Sequence, residues 1–248
     1  MMIRDVFRLA WSEWKSVSVR GVVSALFVLI CYAILLAFVA GLGEGEGIVL
    51  GLDFWFILAI ILWLGMSQFS GEPFNLTKMN DDILSTPFYR YMRRLPVSEL
   101  SLFRSRLLVK AVYLTVLMLA MVSLAVIFVP EPFPFSFGDQ PFISFVAFWI
   151  AVAMISTMNA INEIGYNMKE NTKMNLKAAA WMIGFLVLYL VIWVWLVPYN
   201  GTIMRFTIDY SEAHPTVMLA IAGAIVIVTL VIFEYSGRQK IRKQRNGR

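Results

Sequence analysis

The chain has 248 residues, of which 60% are apolar and 15% charged, with a mean hydropathy of +0.74. Soluble domains average roughly 45–50% apolar and about 25% charged, so this composition exceeds what one soluble core of this size needs. It excludes intrinsic disorder, and the lone cysteine, Cys31, excludes a disulfide scaffold; an integral membrane protein is what remains.

The N-terminal segment 1–20 is polar enough to stay out of the hydrocarbon. Ile3, Phe7, Trp11 and Trp14 recur at helical spacing, and Arg4, Arg8, Ser12 and Lys15 lie off that stripe. Two tryptophans with basic flanks predict a helix over 3–18 lying flat in the cytoplasmic headgroups. Either it anchors the first span or it is a moving part.

A helix needs about 20 apolar residues to cross about 30 Å of hydrocarbon. Six runs meet or approach that length: Val22–Leu42, Ile48–Gln68, Leu107–Val129, Phe142–Ile161, Ala178–Val197 and Thr216–Phe233. They lack the alternation of barrel strands, and in lipid each must satisfy its own backbone polar groups, so each is expected to be a helix. The expected fold is all-α: a polytopic membrane protein with six transmembrane helices and an N-terminal amphipathic interfacial helix. The chain reads as one transmembrane domain, 1–248. Spans one and two fill 22–68, a long loop 69–106, spans three and four 107–161, spans five and six 178–235, and a basic tail 236–248.

Within the long loop, Thr86 and Pro87 suit the start of a helix and Pro96 stops it. Over Pro87–Leu95, Phe88, Tyr91, Met92 and Leu95 form one apolar face, and Tyr89, Arg90, Arg93 and Arg94 the other. Such a helix suits either the membrane surface or a groove on a soluble partner, with aromatic anchors and an arginine rim. Ser98 is then expected to cap the next helix, with Glu99 in its first turn and Arg104 and Arg106 at headgroup level. Lys110, just inside span three, is expected to snorkel. The outer loop 130–141, PEPFPFSFGDQP, has too many prolines for a helix; Phe133, Phe135 and Phe137 are expected in the outer interface. In the last outer loop, Ile203, Met204, Phe206, Ile208 and Tyr210 suit a short re-entrant piece.

Basic residues set the orientation. The segments 1–21, 43–47, 69–110, 130–141, 162–177, 198–215 and 234–248 carry four, none, seven, none, three, one and six Lys or Arg, Lys110 at the inner end of span three being counted with the third. The positive-inside rule puts both termini in the cytoplasm. The net charge of +5 is thus a sorting across a bilayer, and no nucleic-acid partner is implied.

Chemistry inside the spans is sparse. Asp53 enters span two from outside, while Asn159 and Glu163 share a face at the inner end of span four. Intramembrane polar contacts are the ordinary role of such groups, and they are the residues a secondary transporter or channel would use. The one histidine, His214, and the one cysteine make no metal site or catalytic triad. No G-x-x-x-x-G-K-[ST] occurs, so ATP, if used, is bound by another chain. No enzyme and no directly bound cofactor are expected.

The run Leu84-Ser85-Thr86-Pro87-Phe88-Tyr89-Arg90-Tyr91-Met92-Arg93-Arg94-Leu95-Pro96-Val97-Ser98, followed by Ser105-Arg106-Leu107-Leu108, resembles the ABC-2 type permease subunits of bacterial ABC exporters. The six-span layout matches over the whole chain, the motif over about 25 residues. Where members usually have Gly-Thr before the short helix, this chain has Ser85-Thr86 and then Pro87. The resemblance implies that Pro87–Leu95 is a coupling helix touching a separate ABC ATPase subunit, which binds the ATP. It also implies a dimer with a second permease copy or a homologous permease. Spans one, two and five would line the path, and substrate would move outward through the bacterial cytoplasmic membrane, among its lipids. The alternatives are an ATP-independent secondary transporter or channel, or a non-transporting immunity or assembly subunit.

Overall fold

In the computed structural model the described residues are 2–15, 19–41, 77–80, 83–85, 97–128, 130, 133–158, 166–167 and 203–246, with helical residues at 180, 183–184, 186–188 and 190–191. They are almost wholly helical. The helices are α1 (Met2–Lys15), α2 (Val19–Gly41), α3 (Glu99–Phe128), α4 (Gln140–Met154, tightening to a 3-10 turn at Ile155–Met158), α5 (Ile203–Ala213) and α6 (Pro215–Asn246). Among the described residues three helices are long and apolar enough to cross a membrane: Glu99–Phe128, Gln140–Thr157 and Pro215–Arg242. A shorter apolar stretch, Ala25–Ala40, lies within α2. These match the first, third, fourth and sixth apolar runs of the sequence. Span two, Ile48–Gln68, lies outside the described residues, and span five is represented by the scattered helical residues between 180 and 191.

The all-helical expectation has one exception. β1 (Thr77–Asn80), β2 (Ile83–Ser85) and β3 (Tyr166–Asn167) form an antiparallel sheet in the order β1-β2-β3. Thr77 pairs with Ser85 and Lys78 with Leu84, while Ile83 and Leu84 pair with Asn167 and Tyr166. The pairing joins the loop 69–106 to the loop between spans four and five. Strands this short carry no hydrophobic periodicity, so no pattern announces them. β2 stops two residues before Pro87, whose nitrogen has no hydrogen to give a ladder.

The larger core lies where α2, α3, α4 and α5 meet. Leu36, Val39 and Ala40 pack with Leu114, Met118, Met121 and Val122, with Phe142, Phe145 and Trp149, and with Met204 and Ile208. α4 packs most extensively on α6, while α1 and α2 both pack on α3. The remaining surface is strongly apolar: Val22, Leu26, Phe27, Ile34 and Phe38 on α2, and Ile227, Val228, Val231 and Ile232 on α6, are exposed. A soluble surface does not carry contiguous faces of this kind; lipid or another helix covers them.

The outer loop corrects an expectation. Phe133 and Phe135 do not point to the lipid interface but into the core, 5% and 7% exposed. Phe135 stands 5.5 Å from Phe145 and 6.2 Å from Phe142 between ring centroids, and Phe133 stands 6.1 Å from Phe145. Only Phe137 stays outside, against Phe142. The reversal comes from a tight return: Asp139 N–H donates to the Ser136 carbonyl at 3.2 Å, and Gly138 takes φ +90°, where a side chain would be strained. The proposed re-entrant piece is the helix α5, with Met204 and Ile208 buried and Phe206 stacked on Tyr210.

Candidate functional site

A charged junction forms where α1 and the C-terminal part of α6 meet the first turns of α3. Ser98 starts α3 as expected. Its Oγ accepts from the Ser101 N–H at 3.1 Å, and its carbonyl accepts from the Leu102 N–H at 3.2 Å. Glu99 opens the helix, where its carboxylate faces the positive dipole end. One turn on, Leu102 and Phe103 are fully buried, with Leu9 of α1, Leu107 and Ile241 of α6 packed around them.

Arg106 is turned into the protein. It is 1% exposed and ion-paired with Glu13 of α1, itself 4% exposed. Removing two charges from water is costly, and their attraction offsets that cost only in good geometry, so such a pair mainly fixes register. It locks one rotation of α1 against α3. Ala10, one turn earlier and 1% exposed, brings the two backbones close.

Arg104 faces the other way and grips α6. Its Nε donates to Glu234 Oε2 at 3.2 Å, and an Nη donates to Glu234 Oε1. Arg238 donates to the same Oε1 from Nε at 2.8 Å. One carboxylate therefore serves two guanidinium groups, on partly exposed side chains. Gly237 lies between these contacts, against the Phe103 ring; a Cβ there would stand 2.6 Å from Phe103 Cζ. The close crossing of α3 and α6 requires glycine at this position.

Lys110, expected to snorkel, is instead 5% exposed within the bundle, one turn beyond Arg106. Buried hydroxyls close the end of α4: Ser156 Oγ donates to the Ala153 carbonyl at 2.5 Å and Thr157 Oγ1 to Met154 at 2.7 Å. They satisfy carbonyls freed where the helix tightens.

The predicted coupling residues Pro87, Phe88, Tyr89, Arg90, Tyr91, Met92, Arg93, Arg94 and Leu95, and the predicted polar contacts Asp53, Asn159 and Glu163, lie outside the described residues. The junction was missed because it is tertiary. One signal was present: Glu13 falls on the same face of α1 as Leu9 and Val6, where a carboxylate needs a buried cation. Among the described residues no cluster of His, Cys, Asp and Glu could hold a metal ion. The arrangement links α1, α3 and α6 through charge. Compared with known protein families, characterised proteins and solved structures, the chain matches none of them.

Proposed function

We propose that the chain is the membrane-spanning permease subunit of an ATP-binding-cassette exporter, of the ABC-2 type that it resembles. It would have six spans, with both termini on the cytoplasmic side of a bacterial cell membrane. A separate ATPase subunit would bind and hydrolyse ATP, a second permease copy or homologue would complete the path, and substrate would move outward.

One observation carries this reading: the segment Leu84–Ser98 runs directly into the helix whose first turns hold both α1 and α6. Pro96 and Ser98 leave three residues between the proposed coupling helix and Glu99. A push on Pro87–Leu95 would reach α3 within one turn, then α1 through Glu13 and Arg106, and α6 through Glu234 and Arg104. The pairing of β2 with β3 supports placing the loops 69–106 and 162–177 on one side of the membrane.

The test is co-purification. The chain, extracted in mild detergent, is expected to bring with it a P-loop ATPase and ATP hydrolysis. Replacing Tyr91 and Met92 with Asp should abolish both while leaving the protein in the membrane. An intact complex in that variant would sink the coupling role; a wild-type chain that brings no ATPase would sink the exporter reading.

A further inference from the structure

The helix α1 divides into three faces. Leu9, Ala10 and Glu13 dock on α3. Phe7, Trp11 and Trp14 are exposed, Phe7 and Trp11 by about 60%. Arg4, Arg8 and Lys15 are exposed along one flank of that aromatic stripe. At about 100° per residue these three cations fall within an arc of about 40°, with Trp11 about 20° beyond Arg4. Arg4, Arg8, Trp11 and Lys15 follow the spacing i, i+4, i+7, i+11, a ladder roughly 16 Å long at 1.5 Å per residue.

The Lys15 end of the ladder is held in place, and the charge of all three cations is exposed. Lys15 Nζ stands 5.6 Å from the Trp11 ring centroid, and Trp14 packs edge-on against Trp11 at 6.3 Å. Among the described residues no carboxylate pairs with Arg4, Arg8 or Lys15, whereas Arg104, Arg106, Arg205 and Arg238 each hold one. Asp5, the acidic residue of the same turn, lies about 100° around the helix from Arg4 and about 60° from Arg8, and forms no ion pair with either among the described residues.

We propose that the flank Arg4–Arg8–Trp11–Lys15 is a binding site for the phosphate groups of acidic phospholipids. The aromatic stripe seats α1 at the acyl–headgroup boundary. Guanidinium forks then chelate phosphate oxygens in pairs, and the ladder is long enough for two headgroups. Acidic lipids are favoured because their net negative charge is not cancelled within the headgroup. The site rests on reading α3, α4 and α6 as membrane-crossing and needs no ATPase partner.

The experiment uses the full chain in neutral detergent, titrated with phosphatidylglycerol or phosphatidylcholine, with bound lipid counted by native mass spectrometry. Replacing Arg4, Arg8 and Lys15 with Gln is expected to weaken phosphatidylglycerol binding about 100-fold, at about fivefold per cation, and to leave phosphatidylcholine unchanged. Arg8→Gln alone is expected to cost about fivefold, and Arg242→Gln, an exposed cation on α6, less than twofold. Equal losses from those two would make net charge the cause and overturn the site, as would a triple variant that binds like wild type. Displacement of the lipid by millimolar inorganic phosphate would mark a free-phosphate site and overturn the lipid assignment. All three substituted side chains are exposed, so folding is not at stake; should the triple variant fail to fold, the single variants decide. ATPase association is not read in this assay, so failure of the exporter reading leaves its outcome unchanged.

Discussion

The two ends of α3 are held by different physics. At its start, Glu13–Arg106 and Arg104–Glu234 join three helices through charge, around a small apolar patch of Leu102 and Phe103. Toward its other end, Leu114 to Val126 pack into a core with Phe133, Phe135, Phe142, Phe145 and Trp149, and the contacts are apolar and aromatic. Apolar packing of this kind is dense and resists separation. Ion pairs at one carboxylate or one guanidinium are directional and specify a single register. The contrast marks the charged end as the one where helix register is specified, and the aromatic end as the one where burial holds the helices together.

The largest effect is expected from breaking the buried pair. Glu13→Ala leaves Arg106 charged and buried, and should destabilise the docking of α1 by about 3–5 kcal/mol. Hydrogen exchange over residues 2–15 would report it as α1 opening while α4 stays protected. Combining Glu13→Leu with Arg106→Met should recover most of the loss, since apolar replacements of similar size often match a buried pair. Next, Gly237→Val forces a branched side chain into the Phe103 ring and should cost about 1–3 kcal/mol, read as a fall in the thermal midpoint in detergent. At the aromatic end, Phe135→Leu keeps most apolar volume but loses ring–ring geometry, for about 1 kcal/mol, and the loss should not change with salt. Smallest is Glu234→Gln, at about 0–1 kcal/mol for a partly exposed network. Its effect should shrink as salt rises from millimolar to molar. A Phe135→Leu loss that also faded with salt would undo the contrast between the two ends.

The long helices were legible because an uninterrupted apolar run admits one structure in lipid. The Ser98 cap was equally legible, since a hydroxyl just before an acidic first turn has few other uses. The helix α1 was expected from its apolar stripe, of which Phe7, Trp11 and Trp14 are exposed, but its opposite face was not read, because Glu13 next to Leu9 and Ala10 shows its role only once Arg106 is seen beside it. Arg104 and Arg106 illustrate the same limit. Two residues apart on a helix, they point about 200° apart, and only the neighbours decide that each meets a different carboxylate. Phe133 and Phe135 were misplaced because composition cannot tell a ring that faces lipid from one that faces protein; the turn at Gly138 decides it. The strands were invisible at four, three and two residues.

The lengths of α3 and α6 have a consequence of their own. At 1.5 Å per residue their 30 and 32 residues span roughly 45 Å and 48 Å, against a hydrocarbon slab of about 30 Å. They overshoot by about 15 Å and about 18 Å, and Arg104–Glu234 joins the two overhangs at the same end. A long helix alone would answer a thinner bilayer by tilting. Two that also meet through Arg104–Glu234 and Gly237–Phe103 at one end are expected to share much of that tilt, so a change in membrane thickness would reach both helices together.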